Sequence, residues 1–200
     1  MKIVIATKNQ GKVVEINSII GSTGIEAISL TAFPDMPEVV EDGFTFLDNA
    51  RKKARETAIY TGLPSLADDS GLEVDALDGR PGVYSARFAP TTEERNAKLL
   101  GMLADTPDHL RTARFVCALA IASPDGTKWT TTGTCNGVIT REPRGEQGFG
   151  YDPVFFYGPL GKTFAEIPRA EKNKISHRGL ALAAFRDAVS DGLLDSRKGV

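Results

Sequence analysis

The sequence is poor in the residues on which zinc sites and disulfide frameworks depend. Its 200 residues hold two cysteines, Cys117 and Cys135, and two histidines, His109 and His177. So few cysteines exclude a stapled secreted scaffold and point to a reducing compartment, here the cytoplasm. Zinc draws on Cys and His, so a metal bound by this chain is expected on oxygen ligands. No apolar run approaches the roughly 18 residues of a membrane span. The opening MKIVIATKNQ turns polar after Ala6, so neither a membrane helix nor a signal peptide is expected. Charge of one sign is lacking too: the net charge is −2, which leaves no basic field to hold nucleic acid. Hydrophobic residues make up 41% and charged residues 25%, a balance that buries a core unaided and excludes a disordered chain.

What is present alternates between strand and helix signals. Residues 2–6 read as a buried strand, and Val13, Ile16, Ile19 and Ile20 follow at helical spacing. A second strand at 25–30 completes a strand-helix-strand unit. Residues 34–43 are a Pro- and acid-rich loop. Thr45 and Asp48 then cap a helix running to about Tyr60. Residues 66–69 look like the end of a strand. Thr91 and Glu94 form a capping box for a helix ending near Ala104. Residues 112–122 are apolar on both alternating faces, the mark of a central strand covered on two sides. Ser123-Pro124-Asp125-Gly126 is turn chemistry, so residues 128–134 return as a hairpin partner. Ser176 can cap a last helix carrying Leu180, Ala184, Phe185 and Ala188, and residues 195–200 have nothing to bury and fray. The class is α/β with a mixed sheet.

Several segments carry chemistry. The loop Thr7-Lys8-Asn9-Gln10-Gly11-Lys12 leaves the carboxyl end of a strand and feeds a helix start, where free N–H groups and the dipole favour an anion. Its spacing is not that of a P-loop, since Val13 follows Lys12. Taken alone, it reads equally as a solvated turn. In Asp68-Asp69-Ser70-Gly71, adjacent strand residues point to opposite faces, so one carboxylate of the pair faces a given cleft. Mg2+ suits few carboxylates, and Glu41 or Asp42 could complete such a site. On the helix after Thr45, Lys53 falls about 60° from the apolar stripe and Lys52 about 160°. Lys53 is therefore the candidate, and Lys52 is solvated face with Asp48 as partner. The run from Gly145 to Pro153 is glycine-rich with two aromatics, and Phe149 offers a stacking face for a base. Lys172, Lys174, His177 and Arg178 gather at the last helix start, where cations oppose the dipole unless a ligand or carboxylate compensates.

In order, Thr7-x-Asn9-x-x-Lys12, the Glu41 loop with Lys53, ADDSGLEVDALDGRPGVYSAR, GFGYDPVF and Ser176-His177-Arg178-Gly179 resemble the inosine/xanthosine triphosphate pyrophosphatase family. The resemblance runs from Lys2 to about Val189. It implies hydrolysis of ITP, dITP and XTP to the monophosphate and pyrophosphate, with Mg2+, by a homodimer. It also implies one domain over residues 1–194, an elongated two-lobed fold around a long mixed sheet with the substrate in the cleft between lobes. Carried over by position, Thr7, Lys8, Asn9, Gln10, Gly11 and Lys12 hold the triphosphate, with Lys53 nearby. Glu41 and Asp69 hold the metal, and Asp69 is the general base. Ser70, Phe149, Gly150, Tyr151, Asp152, Lys172, His177 and Arg178 contact the nucleotide, with Phe149 stacked on the base. Asp42 and Asp68 stand beside the metal residues.

The chemistry fits that assignment. A free carboxylate near pKa 3.9 is a poor base for bulk water, and a metal acidifies the attacking water so that a carboxylate suffices. Buried donors at the His177–Arg178 helix start would meet a purine 6-oxygen and repel an adenine amino group, a mismatch worth roughly 10⁴-fold. Two rivals stand beside this reading. One is a nucleotide- or RNA-binding module using Phe149, Lys174 and Arg178, which the acidic balance disfavours. The other is a metal-dependent phosphatase that releases orthophosphate.

Overall fold

Short apolar runs and capped amphipathic segments alternate through the first third of the chain, and they fold as that pattern dictates. The computed structural model describes residues 2–21 and 24–194. The fraying expected for 195–200 falls outside them. Strand β1 (Lys2–Ile5) leads through a polar loop into helix α1 (Gln10–Ile20), and β2 (Glu26–Ser29) follows. Helix α2 (Phe46–Thr61) starts at Thr45, whose side chain accepts the Asp48 N–H, and stops at Gly62 in the left-handed conformation. Then come β3 (Ser65–Val74), α3 (Thr92–Met102), β4 (Thr112–Ser123), β5 (Gly126–Ile139), β6 (Phe155–Tyr157) and β7 (Lys162–Thr163). Helices α4 (Arg169–Ile175) and α5 (His177–Ser190) close the described chain. The capping box read at Thr91 and Glu94 is present.

The strands form one open mixed sheet in the order β2-β1-β3-β4-β5-β6-β7. Strand β1 is parallel to β2, with Ile3 opposite Ala27, and parallel to β3, with Ile5 opposite Leu66. The far edge is antiparallel, β6 pairing with both β5 and β7. Strand β4 is buried almost continuously from Cys117 to Ala122, as a doubly covered strand must be.

The chain divides into two compact units, and β3, β4 and β5 each pass from one to the other. The first comprises the described parts of Met1–Asp69, Cys117–Gly133 and Arg178–Val200. Its core packs Ile3, Ile5, Ile16, Leu66, Leu119 and Phe185. The second comprises Ser70–Val116 and Thr134–His177. Its core is aromatic: Phe155 and Phe164 lie 4.8 Å apart, and Phe115 stacks on His177 at 4.6 Å.

The structure corrects four sequence expectations. Strand β3 does not end at Asp69 but continues to Val74, because Leu72 and Val74 find a second core to bury in. Lys52 pairs with Asp42 at 2.6 Å rather than with Asp48, whose carboxylate accepts the Thr45 hydroxyl. Leu180 is exposed, and Ala181, Leu182 and Phe185 form the buried stripe of α5. Lys172 and Lys174 belong to a separate helix, α4, which Pro168 opens and the extended backbone of Ser176 closes.

Candidate active site

In the first unit, the loop beyond the carboxyl end of β1 lies beside Asp68 and Asp69, which follow the residues of β3 that pair in parallel with β1; open α/β sheets place their ligands beyond such carboxyl ends. The loop is ordered from within. Thr7 Oγ1 accepts the Asn9 N–H at 3.2 Å, and Asn9 Oδ1 caps α1 by accepting the Lys12 N–H at 3.2 Å. Lys8, Asn9 and Gln10 are exposed, and Gly11 and Lys12 are half-buried. The first turn of α1, at Gln10 and Gly11, has no intrahelical acceptors for its N–H groups. Lys12 reaches from this turn to Asp68, Nζ to Oδ2 at 2.9 Å.

Asp68 and Asp69 take different partners, as alternation along a strand requires. Asp68 accepts from Lys12 and from the Arg178 guanidinium, whose Nη2 lies at 3.2 Å. Arg178 also donates through Nη1 to Glu15 of α1. Arg178, Asp68 and Glu15 are all buried. Burial alone would raise the Asp68 carboxyl, but the Lys12 ammonium and then the Arg178 guanidinium overcome it and hold the pKa well below the carboxylate range. Asp68 and Glu15 are thus the carboxylates that compensate a cation in the first turn of α5.

Asp69 behaves oppositely. Its Oδ2 accepts Asn49 Nδ2 at 3.0 Å, and its Oδ1 lies 3.7 Å from Lys53 Nζ. Lys53 also donates to Glu41 Oε1. Burial, reinforced by the nearby Glu41 charge, raises the Asp69 carboxyl despite the attraction of Lys53 and Lys12. Burial pulls the Lys53 ammonium down, but Asp68, Asp69 and Glu41 more than reverse it. Asn49, fully buried on α2, also accepts the Gly43 N–H through Oδ1 at 2.8 Å and so ties the Glu41 loop to the helix. Among the described residues no group of three or more His, Cys, Asp or Glu could hold a metal. The oxygen donors Glu41 and Asp69 converge on Lys53, which fits a cation needing one or two carboxylates and taking its other ligands from water and substrate.

In the second unit the glycine-rich loop surrounds a buried ion pair. Lys172 Nζ meets Asp152 Oδ2 at 2.6 Å and sits 5.2 Å from the Phe149 ring centroid. Asp152 Oδ2 also accepts the Phe149 N–H at 2.8 Å. Gly148, at φ +79°, runs so close to Asp152 that a Cβ would lie 2.0 Å from Oδ2. Phe149 and Gly150 are half-buried, and Tyr151, Asp152, Lys172, Ser176 and His177 are buried.

The candidates named from sequence therefore assemble as two clusters, one in each unit. Lys12, Glu41, Lys53, Asp69 and Arg178 belong to the first unit, and Phe149, Gly150, Tyr151, Asp152, Lys172 and His177 to the second. Ser70 is half-buried on β3. Lys174 is exposed, and Asp42 pairs with Lys52. Two residues went unread: Asn49, one turn before Lys53 on the same helix face, and Glu15, beside the buried Ile16. Helical spacing was the available signal for Asn49.

Parallel strands, the first of which leads into a helix start, with buried carboxylate–cation pairs beside it, define an open α/β protein whose polar interior is committed to a site. The chain belongs to the Ham1 family, whose model matches residues 3–188. A dITP/XTP pyrophosphatase from Geobacter sulfurreducens is 53% identical over 189 residues, covering 93% of this chain and 95% of its own. One from Shigella flexneri is 48% identical over 196 residues, covering 96% and 99%. Among solved structures, a HAM1 protein from Coxiella burnetii superposes with a TM-score of 0.89 at 40% identity, covering 96% of this chain and 100% of its own.

Proposed function

We propose that this protein hydrolyses non-standard purine nucleoside triphosphates (ITP, dITP and XTP) to the monophosphate and pyrophosphate, clearing them from the nucleotide pool. The observation that carries this reading is the Asp69 carboxylate, buried beside Lys53 and Asn49 and adjacent in β3 to Asp68, the partner of Lys12. The loop from Thr7 to Lys12 takes the triphosphate through the N–H groups at the start of α1 and the Lys12 ammonium. Lys53 adds charge for the phosphates. Glu41 and Asp69 would hold Mg2+, which supplies further positive charge to the phosphate oxygens. Asp69 accepts the proton of a water attacking the α-phosphorus. The bond from that phosphorus to the bridging oxygen breaks, and pyrophosphate leaves. In the second unit, Phe149 stacks on the base, and the N–H groups opening α5 at His177 select a 6-oxygen.

The same reading includes a homodimer, a cytoplasmic setting and no nucleic-acid partner. Among the described residues no helix is long and apolar enough to cross a membrane. The test is product analysis with Mg2+ and ITP beside ATP and GTP. IMP and pyrophosphate from ITP, with ATP and GTP nearly untouched, are expected. Orthophosphate would favour a phosphatase of different bond choice, and binding without turnover would favour a nucleotide-binding module.

A further inference from the structure

The glycine-rich loop is anchored within the second unit by side-chain hydrogen bonds that the functional reading does not use. Asn96 of α3, 4% exposed, donates Nδ2 to the Gly150 carbonyl at 3.2 Å. Tyr151, 3% exposed, donates its hydroxyl to the Ser85 carbonyl at 2.9 Å. Ser85 is itself buried, in the 3-10 turn Gly82–Arg87. Its hydroxyl donates to the Gly82 carbonyl at 2.6 Å and accepts the Leu72 N–H of β3 at 2.9 Å. A run of hydrogen bonds thus links the backbone of β3 through Ser85 to Tyr151, and Tyr151 stands between Gly150 and Asp152.

Each member is there for a physical reason. The Leu72 N–H is buried and needs an acceptor, which the Ser85 hydroxyl supplies. That bond fixes the 3-10 turn, and the turn fixes the carbonyl that Tyr151 meets. Tyr151 then holds a loop that glycine makes pliable: Gly148 and Gly150 both have positive φ. A loop so built keeps one conformation only if its few side chains are tied down.

We propose that Ser85 and Tyr151 are positioning residues for base discrimination, holding the Phe149–Asp152 segment in the register that meets the purine. The proposal rests on the functional reading above. The Tyr151 hydroxyl is committed to the Ser85 carbonyl, and the Ser85 hydroxyl to Gly82 and Leu72. Both residues act through the placement of the Phe149 ring and the Asp152 carboxylate, and misplacement by about 1 Å can lower a rate about 10²-fold.

Tyr151→Phe removes one oxygen and leaves the ring in the core. Its kcat/KM for ITP is expected to fall about tenfold, mainly through KM, with a smaller change for ATP, so that the ITP-to-ATP ratio narrows. Amide exchange across 149–152 should accelerate in the same variant without substrate. Ser85→Ala should move both readouts in the same direction, and Ser85→Thr, which keeps the hydroxyl, should restore them. Cys135→Ala, a cavity in the same core, should lower the melting temperature and leave the ratio alone. An unchanged ratio in Tyr151→Phe, or a changed ratio with unchanged exchange, overturns the proposal. A wild-type protein that cleaves neither ITP nor XTP overturns the functional reading instead. That failure is distinguishable, because it appears before any variant is made.

Discussion

Replacing Asp68 by Asn tests the electrostatic argument at its deepest point. The carboxylate is fully buried and accepts from Lys12 Nζ at 2.9 Å, Arg178 Nη2 at 3.2 Å and Arg178 Nε at 3.3 Å. Asn keeps the shape and removes the charge, so the buried guanidinium retains Glu15 and loses its second counter-charge. Breaking a buried pair from one side costs about 3–5 kcal/mol. At roughly 2–4 °C per kcal/mol for a chain of this size, the melting temperature should drop by roughly 6–20 °C. The pH dependence follows from the sign of the shift. A carboxyl whose folded pKa lies below its unfolded 3.8 contributes fully above that value and loses its contribution as pH falls towards the folded pKa. Urea midpoints of wild type and Asp68→Asn should therefore differ by a constant amount from pH 7 to 5 and begin to converge only below about pH 4. Equal midpoints at pH 7, or convergence already between pH 7 and 5, would falsify the assignment of Asp68 as the charged hub.

Three further outcomes are expected. Asp69→Asn should lower kcat by about 10²–10⁴-fold while nucleotide binding by calorimetry persists. Its melting temperature at pH 7 should not fall, because a carboxyl raised by burial is stabilising only below its folded pKa and is charged at a net cost above it. In metal-free wild type the Asp69 carboxyl, followed by NMR, should titrate above 3.8, its ordinary position, and titration at or below that value removes the argument from burial. Gly148→Ala places a Cβ 2.0 Å from Asp152 Oδ2 on a positive-φ residue. Activity on ITP should fall at least tenfold, and a fully active variant would show that the Asp152–Lys172 pair does not set the base site.

Much of the fold was legible because it follows from local rules. The caps at Thr45 and Thr91, the polar loop after β1 and the doubly buried β4 depend on neighbours within a few residues. The misses lie where distant packing overrides local pattern. Nothing near Gly71 says that β3 continues, since the core that receives Leu72 and Val74 is built from Leu99, Phe115 and Phe155 far along the chain. Lys172 looked like a helix-start cation until Pro168 and Ser176 bracketed a short helix of its own. The helical phase of α2 marks Lys53 by its charge, whereas Asn49 on the same face is a neutral amide with no charge to mark it.

The Asp68–Asp69 pair shows why sequence could propose both carboxylates and choose between them only by analogy. Strand alternation guarantees that two adjacent side chains face opposite ways, but not what each will meet. One met two cations, and its charge became an asset to folding. The other met burial and the Glu41 charge, which outweigh Lys53, Lys12 and the Asn49 amide, and its charge became a burden. A carboxylate whose charged form burial disfavours has a raised affinity for a proton or a cation. Of the pair, only Asp69 has that property, and it follows from the burial and the Glu41 charge around it rather than from the aspartate itself.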